Sequence, residues 1–244
     1  MFLDILRFEA RRMSRNFAPV FFALAFPVML LLVFGGIYGN KPSAQFGGHG
    51  VVDSSVPAYL VMIVSVTGLM SFPLGLAEYR DRKILKRFRA TPARPSAFLL
   101  AQALVNILTS LVGAALLVVV GTIAFGLHMP INPIRAVGAL VLATFAMYAV
   151  GSVIAAVAPT ERVATVLANL VYFPMIFISG ATIPLSIFPA TMRHFADALP
   201  ATYGVNLLQQ AWLGTATNAL TDAAVLGGAV VVSAAIAVRF FRWE

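Results

Sequence analysis

Apolar residues run in unbroken blocks along this chain, and charge is confined to short gaps between them. Phe17 to Tyr38 is 22 residues without a charge, which as a helix reaches about 33 Å and crosses a hydrocarbon core of about 30 Å. Pro57 to Ala77 is a second such block, of 21 residues, and Pro95 to Ile134 continues for 40. The longer block holds a third span, from about Phe98 to Phe125, and then LHMPINP (Leu127 to Pro133), whose Pro and Asn mark a turn. A fourth span fills the interval between Arg135 and Glu161, a fifth runs from Val163 to about Ser179, and a sixth from about Leu220 to Phe240. The pattern predicts an all-α integral membrane fold with six transmembrane helices, residues 1–244 forming a single transmembrane domain. The first span is too long for the apolar region of a cleaved leader and reads as an uncleaved anchor.

Two segments depart from the pattern. Residues 180–218 are fairly apolar but are broken by Gly180, Pro184, Pro189, Pro200, Gly204 and Gly214. Such breakers predict two short helices, about Ser186 to Leu199 and Pro200 to Leu213, that dip into the outer leaflet and pack on protein without crossing. In residues 1–16 and just beyond, Leu3, Leu6, Ala10, Met13 and Phe17 recur at helical spacing on one side, with Asp4, Arg7, Arg11 and Arg15 on another. The spacing predicts a helix lying along the inner interface, or else a basic flank that only sets orientation.

Composition sharpens this picture. The chain is 60% hydrophobic and 11% charged, against about half and about a quarter in soluble domains. Its formal charge of +8 does not point to nucleic acid, because the basic residues lie beside apolar spans rather than on a separate polar face. With six crossings and an inside N-terminus, fourteen of the seventeen basic residues face the cytoplasm, leaving Lys41, Arg135 and Arg193 outside. Both termini are then cytoplasmic. There is no cysteine, and His49, His128 and His194 stand singly, so no metal site is expected.

Seven basic residues lie between Arg80 and Arg94 in EYRDRKILKRFRATPAR, the cytosolic loop 78–96. Glu78 and Arg82 stand four apart, a favourable helical pair, and Ile84, Leu85 and Phe88 form an apolar ridge among the charges. A short amphipathic helix of this kind docks in a partner's groove or anchors on anionic lipid headgroups. Pro92 and Pro95 end it, with Thr91 held extended by the proline that follows. On the fifth span Thr165, Asn169 and Tyr172 share a face beside Phe173, a polar stripe suited to a cavity or to interhelical hydrogen bonds. Asn106 on the third span reads as interhelical glue. Phe-Pro pairs at Phe26, Phe72 and Phe173 place bends within or near the ends of spans.

The chain carries no phosphate-binding Gly-x-x-x-x-Gly-Lys-Ser/Thr loop, no Gly-x-Ser-x-Gly elbow, no His-Glu-x-x-His pair and no acidic residue near the middle of a predicted span. An energy source within the chain is therefore missing. An ion-gradient-driven transporter or channel is the alternative class, and a lipid-directed enzyme using His194 and Asp197 a third.

The loop, with Glu78 closing the second span and ILKRFRATPARPSAF following it, resembles the cytosolic loop of type-2 ABC transporter permeases. FPMIFISGATIPLSIFP, LPATYGVNLLQ and the terminal RFFRW resemble that family's later motifs in the same order, so the likeness covers essentially the whole chain. Its short permeases of the drug-resistance, daunorubicin-type branch are the most similar in size. The resemblance implies the membrane-spanning subunit of an ATP-driven exporter in a plasma membrane (bacterial inner membrane), with no catalytic site of its own; the substrate does not follow from it and is expected to be hydrophobic or amphipathic. It further implies a second permease copy or a sister permease, and a separate ABC ATPase subunit that carries ATP and Mg, this chain holding no cofactor. Glu78, Arg82, Leu85, Phe88 and Thr91 then couple to the ATPase. Because the family's second and fifth spans line the path between two permeases, Ser65, Thr67 and Phe72 join Thr165, Asn169, Tyr172 and Phe173 as candidates for it.

Overall fold

The structure, a computed structural model, describes residues 2–43, 48–82, 95–182, 188–215 and 218–240. The described residues are helical with no strand, and six helices are long and apolar enough to cross a membrane. In chain order the helices of the described residues are α1 (Phe2–Arg15), α2 (Phe17–Tyr38), α3 (Val51–Asp81), α4 (Pro95–Phe125), α5 (Pro133–Val157), α6 (Glu161–Ile178), α7 (Ala190–Asp197), α8 (Pro200–Leu213) and α9 (Ala219–Phe240), the spans being α2 to α6 and α9. Prolines open α4, α5 and α8, where the missing N–H is not needed. Asn132 and Thr160 cap α5 and α6 through side-chain oxygens that accept from the amides of Arg135 and Val163.

The bundle is built around α3, whose apolar stretch is almost wholly buried, whereas that of α9 is almost wholly exposed. Met62, Ile63 and Leu69 of α3 meet Met147 of α5 and Leu208 of α8 in the core. Small residues allow this approach. A Cβ on Gly151 of α5 would overlap the carbonyl oxygen of Gly68 on α3, so the two backbones touch.

Both α2 and α3 widen into π-helical turns, at Phe21–Ala25 and Val66–Ser71, each ending directly before a Phe-Pro pair. A proline ring collides with the carbonyl four residues earlier, here those of Ala23 and Leu69. The wider turn moves that carbonyl aside, so the expected bends take the form of π turns.

Two expectations need correction. The second span starts at Val51 rather than Pro57, because Asp53 is satisfied within the helix's first turn. Its Oδ1 accepts from Asn40 Nδ2 (3.0 Å) and from the amide of His128 (3.0 Å), and Oδ2 lies 2.8 Å from His128 Nδ1. Trp212 Nε1 donates to the His128 carbonyl (2.9 Å), which ties α8 into the same clasp. The first outer helix starts at Ala190, after Pro189, with Ser186 outside the described residues. The N-terminal segment is a helix as expected, and α1 turns Ile5 and Glu9 into the protein, whereas Leu3 and Phe17 of the apolar stripe are exposed. Ile5 packs on Phe98 and Ala101 of α4.

Candidate functional site

The charged end of α3 is a junction of four elements. Glu78, on the last turns of α3, holds Arg12 of α1 at 3.1 Å through Oε2 and Arg82 at 3.2 Å through Oε1. The Arg12 guanidinium lies over the Tyr79 ring, 4.8 Å from its centre, and also approaches Glu9 at 3.7 Å. Such stacking leaves the guanidinium edge free for the carboxylate. Arg80 Nη1 donates to the Ala158 carbonyl (2.7 Å), and Asp81 Oδ2 accepts from the Glu161 amide (3.4 Å). The turn between α5 and α6 is thereby fastened to the same end. Gly75 lets this junction close, since a Cβ there would strike Gln102 Nε2 of α4 and come within 2.5 Å of Arg12 Nη2.

Glu9 is the most confined acid of the group, at 2% exposure. Burial pushes its carboxyl up to about 7, with Arg12 opposing the rise and Glu78 adding to it.

The expected Glu78–Arg82 pair is present, whereas Leu85, Phe88 and Thr91 lie outside the described residues. Sequence reasoning missed Arg12, Arg80, Asp81 and Glu9. The one local signal was the Glu9–Arg12 spacing of three, which marks a helical ion pair without revealing that Arg12 also reaches Glu78.

The path candidates fall into two groups. Ser65 and Thr67 are enclosed at 1% and 0% exposure. Ser65 Oγ donates to the Val61 carbonyl, and Thr67 Oγ1 pairs with Ser110 Oγ of α4 at 2.6 Å. Phe72 is likewise buried against Tyr148, ring centres 5.4 Å apart. Thr67 and Phe72 thus hold α3 to its neighbours, and Ser65 bonds back onto its own helix. Asn106, also buried, spends its Nδ2 on the Gln102 carbonyl of its own helix.

The fifth span is different. Along α6, Ala164, Ala168 and Tyr172 face inward, Thr165 and Asn169 are half-buried, and Leu170, Phe173 and Phe177 are exposed. Phe173 touches Tyr172 (5.5 Å) and stacks with Phe177 (6.3 Å). Thr165 Oγ1 donates to the Glu161 carbonyl, whereas the Asn169 amide makes no hydrogen bond among the described residues. An amide at membrane depth without a partner among the described residues is costly unless a partner is found elsewhere. His194 and Asp197 are both exposed on α7, and among the described residues no group of His, Cys, Asp or Glu is placed to hold a metal.

The sequence is 31% identical over 129 residues to Nodulation protein J of Bradyrhizobium diazoefficiens. The aligned part is 52% of this chain and 46% of that protein, so the match spans about half the length of that relative. The ABC-2 type transporter family is matched over residues 2–213, from α1 to the end of α8. With α1, five of the six spans and the short helices α7 and α8 inside that extent, the chain belongs to the ABC-2 type transporter family.

Proposed function

We propose that this chain is the membrane-spanning subunit of an ATP-driven exporter of the drug-resistance type, moving a hydrophobic or amphipathic small molecule out of the cytoplasm. The observation that carries this reading is Glu78. It sits at the end of the most buried helix, is bonded to both Arg12 and Arg82, and opens the basic loop. A push on that loop is transmitted along α3 into the core, and through Arg12, Arg80 and Asp81 to α1 and the α5–α6 turn. In this reading a separate nucleotide-binding subunit docks there, with ATP and Mg on that subunit and Leu85, Phe88 and Thr91 in its groove. Both termini and the loop are cytoplasmic. Two permeases, identical or sister chains, face each other across the Asn169–Phe173 side of α6, whose exposed rings and amide without a partner among the described residues support a shared path.

The test is reconstitution with the partner ATPase in vesicles. Glu78→Ala and Phe88→Asp abolish ATP-dependent transport with insertion unchanged. Asn169→Ala and Phe173→Ala alter the ranking of substrates rather than stability. Transport that persists without ATP, or normal export by both loop variants, overturns the proposal.

A further inference from the structure

Leu6 of the apolar stripe of α1 packs beside Ile5 and Met13 Sδ accepts from Ser71 Oγ (3.6 Å), yet neither the core nor the Glu78 junction closes over the stripe. Ala10 and Met13 instead form one wall of an open groove of about 360 Å³, with Leu24 of α2 and Leu108 and Val112 of α4 as the others. Its size falls within the range of about 300–1,000 Å³ common to ligand pockets. Apolar walls at a membrane surface favour an aliphatic chain over water, which would find few partners there.

The rim supplies the second half of the recognition. Arg7 and Ser14 lie along the groove on α1, one helical face apart from the Ile5–Glu9–Arg12 side that meets the protein. Arg7 is 74% exposed and only loosely paired with Asp4, at 3.9 Å. Arg11 and Arg15, also exposed, make no ion pair among the described residues, so the outward side of α1 is strongly positive. A guanidinium there matches a phosphodiester in charge and in fork geometry. A choline or ethanolamine head would bring a further positive charge to the same place.

We propose that this groove is a binding site for one anionic phospholipid of the inner leaflet, an acyl chain lying between α1, α2 and α4 and the phosphate on Arg7. The leaflet assignment rests on the orientation proposed above, but lipid retention does not. Such a lipid would fix α1, and with it Arg12, against Glu78.

The test is native mass spectrometry of the full-length permease purified in mild detergent. It is offered equal amounts of phosphatidylglycerol and phosphatidylcholine with identical chains. The wild type retains phosphatidylglycerol selectively, and Arg7→Ala lowers that retention about fivefold, as expected for about 1 kcal/mol per basic residue. Ala10→Trp and Leu108→Trp, which fill the groove from opposite walls, lose it. Should one of these fail to fold, the other decides. Equal retention of the two lipids overturns the anionic site, and selective retention unaffected by the folded tryptophan variants places the lipid elsewhere and overturns the groove. Because no transport is measured, failure of the exporter reading would leave this result readable.

Discussion

Gly151→Ala adds one methyl group at the tightest approach between α3 and α5. That carbon would overlap the Gly68 carbonyl oxygen and lie 3.0 Å from the carbonyl carbon, against about 3.5–4.0 Å for an unstrained contact. The obstacle is backbone inside a π turn, which cannot rotate away as a side-chain tip can, so the helices must separate. Overpacking of this kind costs about 1–3 kcal/mol, and the rigid neighbour puts this case near the upper end. Alanine's better helix propensity returns about 0.5–1 kcal/mol, leaving a net loss of about 2 kcal/mol. At about 2–4 °C per kcal/mol for a chain of this size, the expected drop in Tm is about 4–8 °C. Gly138→Ala is the internal control, because a Cβ there on the same helix meets nothing within 4 Å and keeps only the propensity gain. Both variants are followed by thermal unfolding of purified protein in one detergent. A Gly151→Ala protein as stable as Gly138→Ala would refute the close approach of α3 and α5.

Removing the clasp carboxylate with Asp53→Ala strands Asn40 and the His128 amide and loosens α8 through Trp212; thermal unfolding should show a loss of about 3 kcal/mol. Because the Glu9 carboxyl is raised from 4.5 to about 7 in the fold, its contribution is fully present below about 4.5 and is lost as pH rises through 7. Melting temperatures from pH 5 to 8 should therefore fall more in the wild type than in Glu9→Gln, and parallel curves would exclude this role for Glu9. In the cysteine-free chain, a cysteine at Met129 should react with an impermeant reagent added to intact cells and one at Arg162 should not; the reverse pattern would invert the proposed orientation.

The six spans were legible because a bilayer imposes one demand that a sequence displays directly, a run of uncharged residues about 20 long. Phe17–Tyr38 was read to the residue for that reason. The same criterion misplaced the start of α3. A charge ends an uncharged run whether or not the fold neutralises it, and the groups that satisfy Asp53 come from 13 and 75 residues away. The Arg12–Glu78 bond was hidden in the same way, since each arginine of the N-terminal segment reads equally well as a topology signal. Periodicity identified α1 as a helix but not which side it buries. The stripe of large apolar residues faces a groove and the surroundings, and the protein takes Ile5 together with an acid.

The three Phe-Pro pairs within the spans look alike in sequence and are not alike in the fold. Pro27 and Pro73 follow π turns, so the carbonyls their rings would strike have already been moved by the wider helical path. Pro174 sits inside α6 with no such turn, on a helix whose Leu170 and Phe173 are exposed. A displaced carbonyl needs room, and α3 finds it where Gly68 and Gly151 carry no side chains and Thr67 bonds to Ser110. The π turn of α3 thus contains that contact and lies between the Asp53 clasp and the Glu78 junction, on a helix otherwise locked in the core. Displacement imposed at Glu78 meets its first irregular hydrogen bonding there. Movement of the charged end is then best absorbed at Val66–Ser71, leaving the Asp53 clasp at the opposite end as the fixed point.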